Sequence, residues 1–163
     1  MRTRAKAVAD LIDTARENGH MIAAAESCTG GMIAAAITDV AGSSDVFDRG
    51  FVTYSNAAKT EMLGVPADMI EAHGAVSEPV AQAMAEGALR RSNATVSVAV
   101  TGVAGPGASE HKPEGRVCFG LAQAGKATRT ETRNFGALGR ATVRRVTVEH
   151  ALSLLQNAIS QSA

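Results

Sequence analysis

The sequence contains few aromatic residues and few cysteines, and both shortages restrict what it can form. Of its 163 residues only 3% are aromatic and none is tryptophan, so a folded core must be built mainly from small aliphatic side chains. The two cysteines, Cys28 and Cys118, are too few for a disulfide scaffold, and the N-terminus lacks the charged and then apolar pattern of a secretory signal. These absences favour a protein of the reducing cytoplasm.

The sequence also has no excess of charge of one sign and no long apolar run. Sixteen basic residues balance sixteen acidic ones, so no global field attracts nucleic acid or an anionic membrane, and any anion site must be local. The longest apolar candidate, residues 32–37, is far shorter than the roughly 20 residues of a membrane helix. We therefore expect a soluble protein that binds a small molecule, with no nucleic-acid partner and no membrane partner.

Clustered metal ligands are missing from the sequence as well. The four histidines have no two-ligand spacing with one another or with the cysteines, which argues against a metal site; they are His20, His73, His111 and His150. We interpret each as a surface or loop histidine, and we expect no metal and no other cofactor.

The sequence does contain enough apolar material for one compact domain. A chain of 163 residues with 45% hydrophobic and 20% charged residues can bury a core large enough to offset the entropy of folding. No change of composition marks the start of a second core. We expect a single domain over residues 1–163, and apolar helices in so small a domain would suit a homodimer.

Periodic hydrophobicity and turn signals alternate along the chain. Helices are predicted over residues 3–18, from the glycines at 30–31 to 40, from Ser55 to a stop at Gly64, from Ser77 onward, and over 138–159. Strands are predicted over 21–25, 47–54, 94–101, 117–123 and 126–135, the last two forming an antiparallel hairpin. This order indicates an α/β fold, a three-layer α/β/α domain with a mixed β-sheet.

Three loops follow predicted strands and would meet at one edge of the sheet. Ser27 follows the first strand, Tyr54 ends the second, and residues 102–107 follow the third; ligands of open α/β sheets bind at such strand ends. Ser27 precedes two glycines, which let backbone N–H groups at a helix start point at an oxyanion or a phosphate. From spacing alone, a serine in this position is more often a helix cap, so both interpretations stay open at this point.

Lys59, Tyr54 and Cys28 each have an ordinary interpretation beside a functional one. Lys59, near the start of a predicted helix, is typical of a solvated charge, but burial beside Ser27 would remove its proton and make it a base. Tyr54 fits an amphipathic residue at a strand end. Cys28 could compete as a nucleophile, but the nearby sequence has no obvious histidine partner, and a small buried residue is the plainer interpretation.

Several motifs, taken in order, resemble the CinA C-terminal domain family. The segment 25–31, AESCTGG, is similar to the family signature, and the segment 51–59, FVTYSNAAK, is similar to its tyrosine and lysine segment. The segment 101–107, TGVAGPG, with Lys112, Pro113 and Gly115 after it, is similar to the most distinctive block. The resemblance covers nearly the whole sequence, and several ordered motifs are far more specific than one glycine pattern.

The resemblance implies an amidohydrolase of pyridine-nucleotide recycling that converts nicotinamide mononucleotide into nicotinate mononucleotide and ammonia. It also implies that Ser27 is the nucleophile, Lys59 the general base and Tyr54 a hydrogen-bonding assistant. An amide is a poor electrophile, so the serine must be activated by a base. The tetrahedral oxyanion must also be held by fixed donors, for which the N–H groups after Ser27 are suitable.

Substrate-binding residues are expected in the glycine loops and on the last helix. The loop residues are Thr29, Gly30, Gly31, Thr101, Gly102 and Gly105. Arg140 and Arg144 lie one helical turn apart, so both can face a phosphate, although a solvated helix face shared with Arg145 explains their spacing equally well.

The sequence departs from the family pattern after Gly107. Residues 108–111, ASEH, and Arg116 stand where the family usually has more glycine and a smaller residue, which bears on the fit of the substrate. Family members are often fused to an N-terminal domain with nucleotide pyrophosphatase activity; we expect this chain to be the stand-alone form, without that activity.

Three other functions compete with the amidohydrolase. The first is a nucleotide-binding regulatory module without catalysis, and the second is an amidase with a related substrate. The third is a DNA-binding competence factor, as the historical family name suggests, but the sequence has no basic stripe and no groove-reading motif.

Overall fold

The computed structural model describes residues 2–161, in which a five-stranded sheet lies between two layers of helices. The strands are β1 (Ile22–Glu26), β2 (Phe47–Val52), β3 (Val96–Gly102), β4 (Arg116–Gln123) and β5 (Arg129–Asn134). The helices are α1 (Arg4–Glu17), α2 (Met32–Thr38), α3 (Asn56–Leu63), α4 (Ala67–His73), α5 (Glu78–Arg90) and α6 (Arg140–Ser160), with a 3-10 turn at Ser43–Asp45. The predicted α/β/α class is confirmed.

The sheet is mixed, with the strand order β2-β1-β3-β4-β5. β1 is parallel to β2 and β3, whereas β4 is antiparallel to both β3 and β5, which confirms the predicted hairpin. Because the three parallel strands point the same way, the loops that begin at Ser27, Thr53 and Val103 meet at one edge of the sheet.

Separate apolar clusters cover the two faces of the sheet. Ala24 and Val98 belong to the cluster formed with α1, α2 and α6, whereas Ala25 and Ala99 belong to the cluster formed with α3, α4 and α5. This division follows from the alternation of side chains along a strand. Close approach of the helices requires small residues: a Cβ added at Gly120 of β4 would collide with the carbonyl of Ala81 in α5.

The helix starts follow the capping signals in two cases. The Ser55 hydroxyl accepts a hydrogen bond from the Ala58 N–H at 3.0 Å, and the Ser77 hydroxyl accepts one from the Val80 N–H at 3.4 Å, which confirms both caps. Helix α4 is not predicted by the sequence pattern, because it is short and Pro66 before it offers no capping side chain.

The interpretation of His150 as a surface or loop residue is wrong. His150 lies on α6, half-buried against the rings of Phe119 and Phe135, and its Nε2 contacts a carboxylate oxygen of Glu131. An imidazole can pack its ring against apolar groups while its polar edge keeps a partner. The predicted helix over 138–159 contains His150, but only the packing of α6 against Phe119 and Phe135 shows which way the ring faces.

Two global features concern the described part of the chain as a whole. Between residues 2 and 161, no helix has both the length and the apolarity needed to cross a bilayer. Over the same range, no three His, Cys, Asp or Glu side chains are grouped so that they could hold a metal ion.

Candidate active site

Ser27 is the first residue after β1 and lies buried at a tight strand-to-helix turn. Its N–H donates to the Val100 carbonyl at 3.1 Å, which fixes the serine at the edge of the sheet. Gly30 and Gly31 then adopt φ angles of 57° and 108°, a region that favours glycine, and the chain turns into α2.

The N-terminus of α2 is satisfied by Glu26 rather than by Ser27. The Glu26 carboxylate is only 1% exposed and accepts hydrogen bonds from the N–H groups of Ile33 at 2.8 Å and Ala34 at 3.0 Å, and from the Thr29 hydroxyl at 2.6 Å. A carboxylate suits the positive end of the helix dipole. The helix-cap interpretation of Ser27 is therefore wrong, and Glu26 is a positioning residue that the sequence analysis missed.

Lys59 of α3 reaches the serine through the interior. Its side chain is among the most buried in the described chain, with 1% exposure, and its Nζ lies 2.9 Å from Ser27 Oγ. The same Nζ donates to the carbonyls of Thr53 at 2.9 Å and Tyr54 at 3.5 Å. A neutral amine has two hydrogens and one lone pair, so it can satisfy both carbonyls and accept the Ser27 hydroxyl proton in a hydrogen bond.

The ionisation of Lys59 depends on burial and on two neighbours. Burial lowers the pKa of the Lys59 amine, because the interior disfavours the charged ammonium, whereas Cys28 and Glu110 act to raise it. Burial also raises the pKa of the Cys28 thiol to about 12, so this thiol is uncharged near neutral pH and then does not favour the ammonium. Glu110 is the neighbour that still opposes the effect of burial.

Arg144 of α6 holds the backbone that follows Ser27. Its Nε donates to the Cys28 carbonyl at 3.1 Å, and its Nη2 donates to the Thr29 carbonyl at 3.4 Å. The Cys28 carbonyl and the Thr29 N–H belong to one planar trans peptide and point in opposite directions. Arg144 therefore holds the peptide between Cys28 and Thr29 next to the serine.

A cleft of about 410 Å³ opens above Ser27 and Lys59. Arg140, the first residue of α6, bridges its walls: it donates to the Gly105 carbonyl at 2.6 Å and to the Tyr54 hydroxyl at 2.7 Å. Tyr54 is 59% exposed, and its phenol is turned towards Arg140, while its backbone carbonyl faces Lys59. The cleft thus combines a buried serine–lysine pair with a guanidinium nearer the solvent.

The structure brings most of the predicted site residues together, but not all. The cleft is lined by Ser27, Tyr54, Lys59, Thr101, Gly102, Gly105 and Arg140. The predicted binding residues that do not line it are Thr29, Gly30, Gly31 and Arg144. The Thr29 hydroxyl and the Arg144 guanidinium are already engaged with Glu26 and with backbone carbonyls, so both act on the shape of the loop instead.

The loop after Gly107 supplies a wall of the cleft that was not predicted as such. Glu110 lines the cleft, and its Oε2 accepts a hydrogen bond from the Ala75 N–H at 3.2 Å. Ser109 and Lys112 exchange backbone hydrogen bonds at 3.0 and 2.8 Å around a tight turn in which Glu110 has a φ of 51°. The departure of residues 108–111 from the family pattern was the signal that pointed here.

Comparison with known proteins gives matches over almost the whole chain. The family model of the CinA C-terminal domain matches residues 4–159. The CinA-like proteins of Mycobacterium sp. (strain MCS) and Syntrophobacter fumaroxidans are 54% identical over 142 residues and 48% identical over 149 residues, which is 86% and 91% of this chain. These matches cover 34% and 35% of the two proteins, so the chain spans about a third of the length of the curated relatives it matches.

Solved structures agree with this assignment. The competence/damage inducible protein CihA from Agrobacterium tumefaciens is 43% identical, with a TM-score of 0.92 over 99% of this chain and 100% of that one. The competence-damaged protein (CinA) superfamily protein from Escherichia coli is 36% identical, with a TM-score of 0.90 over 95% of this chain and 90% of that one. Sequence and fold together show that the chain belongs to the CinA C-terminal domain family.

Proposed function

We propose that the chain is a metal-independent amidohydrolase that hydrolyses the carboxamide of nicotinamide mononucleotide to nicotinate mononucleotide and ammonia. The observation that carries this proposal is the 2.9 Å contact between Lys59 Nζ and Ser27 Oγ in a buried setting. Burying a lysine is unfavourable, and a binding module would gain nothing from placing it against a serine. A base that must lose its proton explains the arrangement.

In the first half-reaction, Ser27 forms an acyl-enzyme. Neutral Lys59 takes the hydroxyl proton while Ser27 Oγ attacks the carboxamide carbon, giving a tetrahedral intermediate with a negative oxygen. We expect backbone N–H groups of the loop after Ser27, which Arg144 holds through the Cys28 and Thr29 carbonyls, to stabilise that oxygen. The intermediate then collapses: the bond from carbon to nitrogen breaks, Lys59 returns the proton to the nitrogen, and ammonia leaves.

In the second half-reaction, water releases the acid. Lys59, neutral again, takes a proton from a water molecule that attacks the ester carbon. Collapse of the second tetrahedral intermediate breaks the bond to Ser27 Oγ, which regains its proton from Lys59. The net change is carboxamide plus water to carboxylic acid plus ammonia, and no redox partner is required.

The nucleotide phosphate is expected near the solvent side of the cleft. Arg140 is fixed there by Gly105 and Tyr54, and a guanidinium is well suited to a phosphate. A volume of about 410 Å³ falls in the range of small-molecule sites. Arg144 is proposed to act on the Ser27 loop, because its guanidinium is held by two carbonyls.

An amidase with a related substrate is the second candidate. It is favoured by one observation: residues 108–110, where the sequence departs from the family pattern, line the cleft. The proposed chemistry at Ser27 and Lys59 is the same for both substrates.

Ammonia release from nicotinamide mononucleotide by the purified chain, in the presence of excess chelator, tests the proposal. We expect turnover that Ser27→Ala reduces by at least about a thousandfold, whereas Ser44→Ala, an exposed serine on the 3-10 turn, leaves it unchanged. Release from another carboxamide only would favour the second candidate. Binding without any ammonia release would favour the regulatory module, and activity lost to chelator but restored by a divalent ion would contradict the serine mechanism.

A further inference from the structure

The cleft contains a carboxylate for which the proposed mechanism has no use. Three charged side chains line it, and two of them, Lys59 and Arg140, already have roles; the third is Glu110. The tight turn between Ser109 and Lys112 and the contact with the Ala75 N–H fix Glu110 in the wall. Among the residues that line the cleft, Glu110 is the one with an acidic side chain.

In the free protein, Glu110 works against the general base. It raises the pKa of Lys59, whereas burial lowers it, and the uncharged Cys28 thiol adds nothing near neutral pH. Of the other groups around this cleft, the Tyr54 hydroxyl is hydrogen-bonded to Arg140, and Glu26 and Arg144 hold the Ser27 loop through contacts of their own. The Lys112 ammonium, which also lies beside Gly74, donates to the His73 carbonyl. An acid that opposes the general base is explained if a positive charge on the bound substrate pairs with it.

We propose that Glu110 pairs with a positive charge on the bound substrate, the cationic pyridinium ring that carries the carboxamide, and so selects cationic over neutral carboxamides. This inference rests on the proposed function. Nicotinamide mononucleotide carries a fixed positive charge on its ring nitrogen and a negative phosphate, and the cleft offers Glu110 for the first and Arg140 for the second. A Glu110 carboxylate that is paired with the ring no longer stabilises the Lys59 ammonium. Binding of the cationic substrate therefore also favours the neutral form of Lys59, which can act as a base.

The test compares a cationic ligand with its neutral counterpart. Nicotinamide mononucleotide and its reduced 1,4-dihydro form share the carboxamide, ribose and phosphate and differ in the ring charge. E110Q keeps a carbonyl oxygen that can accept the Ala75 N–H and removes only the charge. E61Q is the matched control, because Glu61 is an exposed carboxylate of α3 that lines the neighbouring groove and not this cleft.

Binding is measured in an S27A background, in which no turnover occurs. E110Q should raise the dissociation constant of the oxidised nucleotide by about threefold to fivefold, as expected for a partly exposed ion pair, and leave that of the reduced nucleotide unchanged. E61Q should change neither. Unchanged binding of the reduced form by E110Q also shows that the cleft is intact.

The pH dependence of kcat and kcat/KM gives a second readout. It would not change in E110Q if Glu110 only stabilised the structure of its loop. The profile of kcat/KM reports the free protein, and the profile of kcat reports the complex. For the oxidised nucleotide, the rising limb of kcat should lie at lower pH than that of kcat/KM in the protein with Glu110. E110Q should shift the kcat/KM limb to lower pH, close to the kcat limb, because the carboxylate no longer favours the ammonium.

The outcomes separate this inference from the proposed function. Ammonia release together with an unchanged preference for the oxidised nucleotide in E110Q would overturn the role of Glu110 and leave the proposed function standing. A preference for the cation that E110Q abolishes, without ammonia release by any variant, would support Glu110 and contradict the proposed function. If the chain binds neither form, both are overturned.

Discussion

Lys59 Nζ lies 2.9 Å from Ser27 Oγ although the two residues are 32 positions apart in the sequence. Two different elements create this contact. Ser27 directly follows β1, and Lys59 lies on α3, from which its Nζ also donates to the Thr53 and Tyr54 carbonyls. The contact is buried, and Lys59 Nζ is the hydrogen-bond partner of the Ser27 hydroxyl. A serine hydroxyl and an amine whose pKa is lowered by burial are thereby paired.

Lys59 should leave a signature in the pH dependence of folding. Its pKa is lower in the folded protein than in the unfolded chain, where the reference value is 10.5, so the unfolded state binds more protons between these two pKa values. The free energy of unfolding must therefore rise with pH across that window. We expect the free energy of unfolding, measured with urea, to rise more between pH 7 and about pH 10 in the unsubstituted protein than in Lys59→Met. A difference between the two proteins that does not change with pH would mean that the lysine is not desolvated.

Arg140 and Arg144 should have different kinetic effects, although they are one helical turn apart. Arg140→Ala should raise KM for the nucleotide by about tenfold and change kcat less, because Arg140 lines the cleft. Arg144→Ala should mainly lower kcat, because Arg144 holds the Cys28 and Thr29 carbonyls behind Ser27.

The control for this pair is Arg145→Ala, since Arg145 is an exposed residue of the same helix that pairs with Glu149. It should leave both constants unchanged. If Arg144→Ala raises KM as Arg140→Ala does, with kcat preserved, the guanidinium binds substrate directly and the positioning role is wrong.

Cys28 should be chemically silent despite its place beside Ser27. Burial raises the pKa of its thiol to about 12, so almost none is the reactive thiolate at neutral pH. Treatment with iodoacetamide at pH 7 should leave ammonia release intact, and Cys28→Ala should retain most of the activity. Rapid inactivation by the reagent, together with loss of ammonia release in Cys28→Ala, would identify the thiol as the nucleophile and contradict this prediction.

The sequence predicts the fold well because its strands and most helices carry clear local signals. The alternation in β3, the caps at Ser55 and Ser77 and the β4–β5 hairpin are local features, and the structure has them all. Helix α4 lacks such a signal, because it is short and no capping side chain precedes it.

The site is harder to predict, because its details depend on contacts between distant segments. Nothing local shows that Glu26, rather than Ser27, satisfies the start of α2, or that Arg144 is turned to the Cys28 carbonyl from 116 residues away. The approach of Glu110 to the cleft likewise follows from the contact with Ala75, 35 residues away. Resemblance supplied the pairing of Ser27 with Lys59, which spacing alone left open.

The most direct test of the central claim, that Lys59 is the neutral base for Ser27, is the kcat for ammonia release of Lys59→Arg beside that of Lys59→Ala, measured with nicotinamide mononucleotide over a range of pH. A guanidinium keeps the positive charge but cannot accept a proton. We therefore expect both variants to lose at least about a hundredfold in kcat, while the unsubstituted protein becomes faster with rising pH as Lys59 deprotonates. Substantial activity in Lys59→Arg, with little dependence on pH, would show that the residue serves as a fixed cation and would contradict the serine–lysine mechanism.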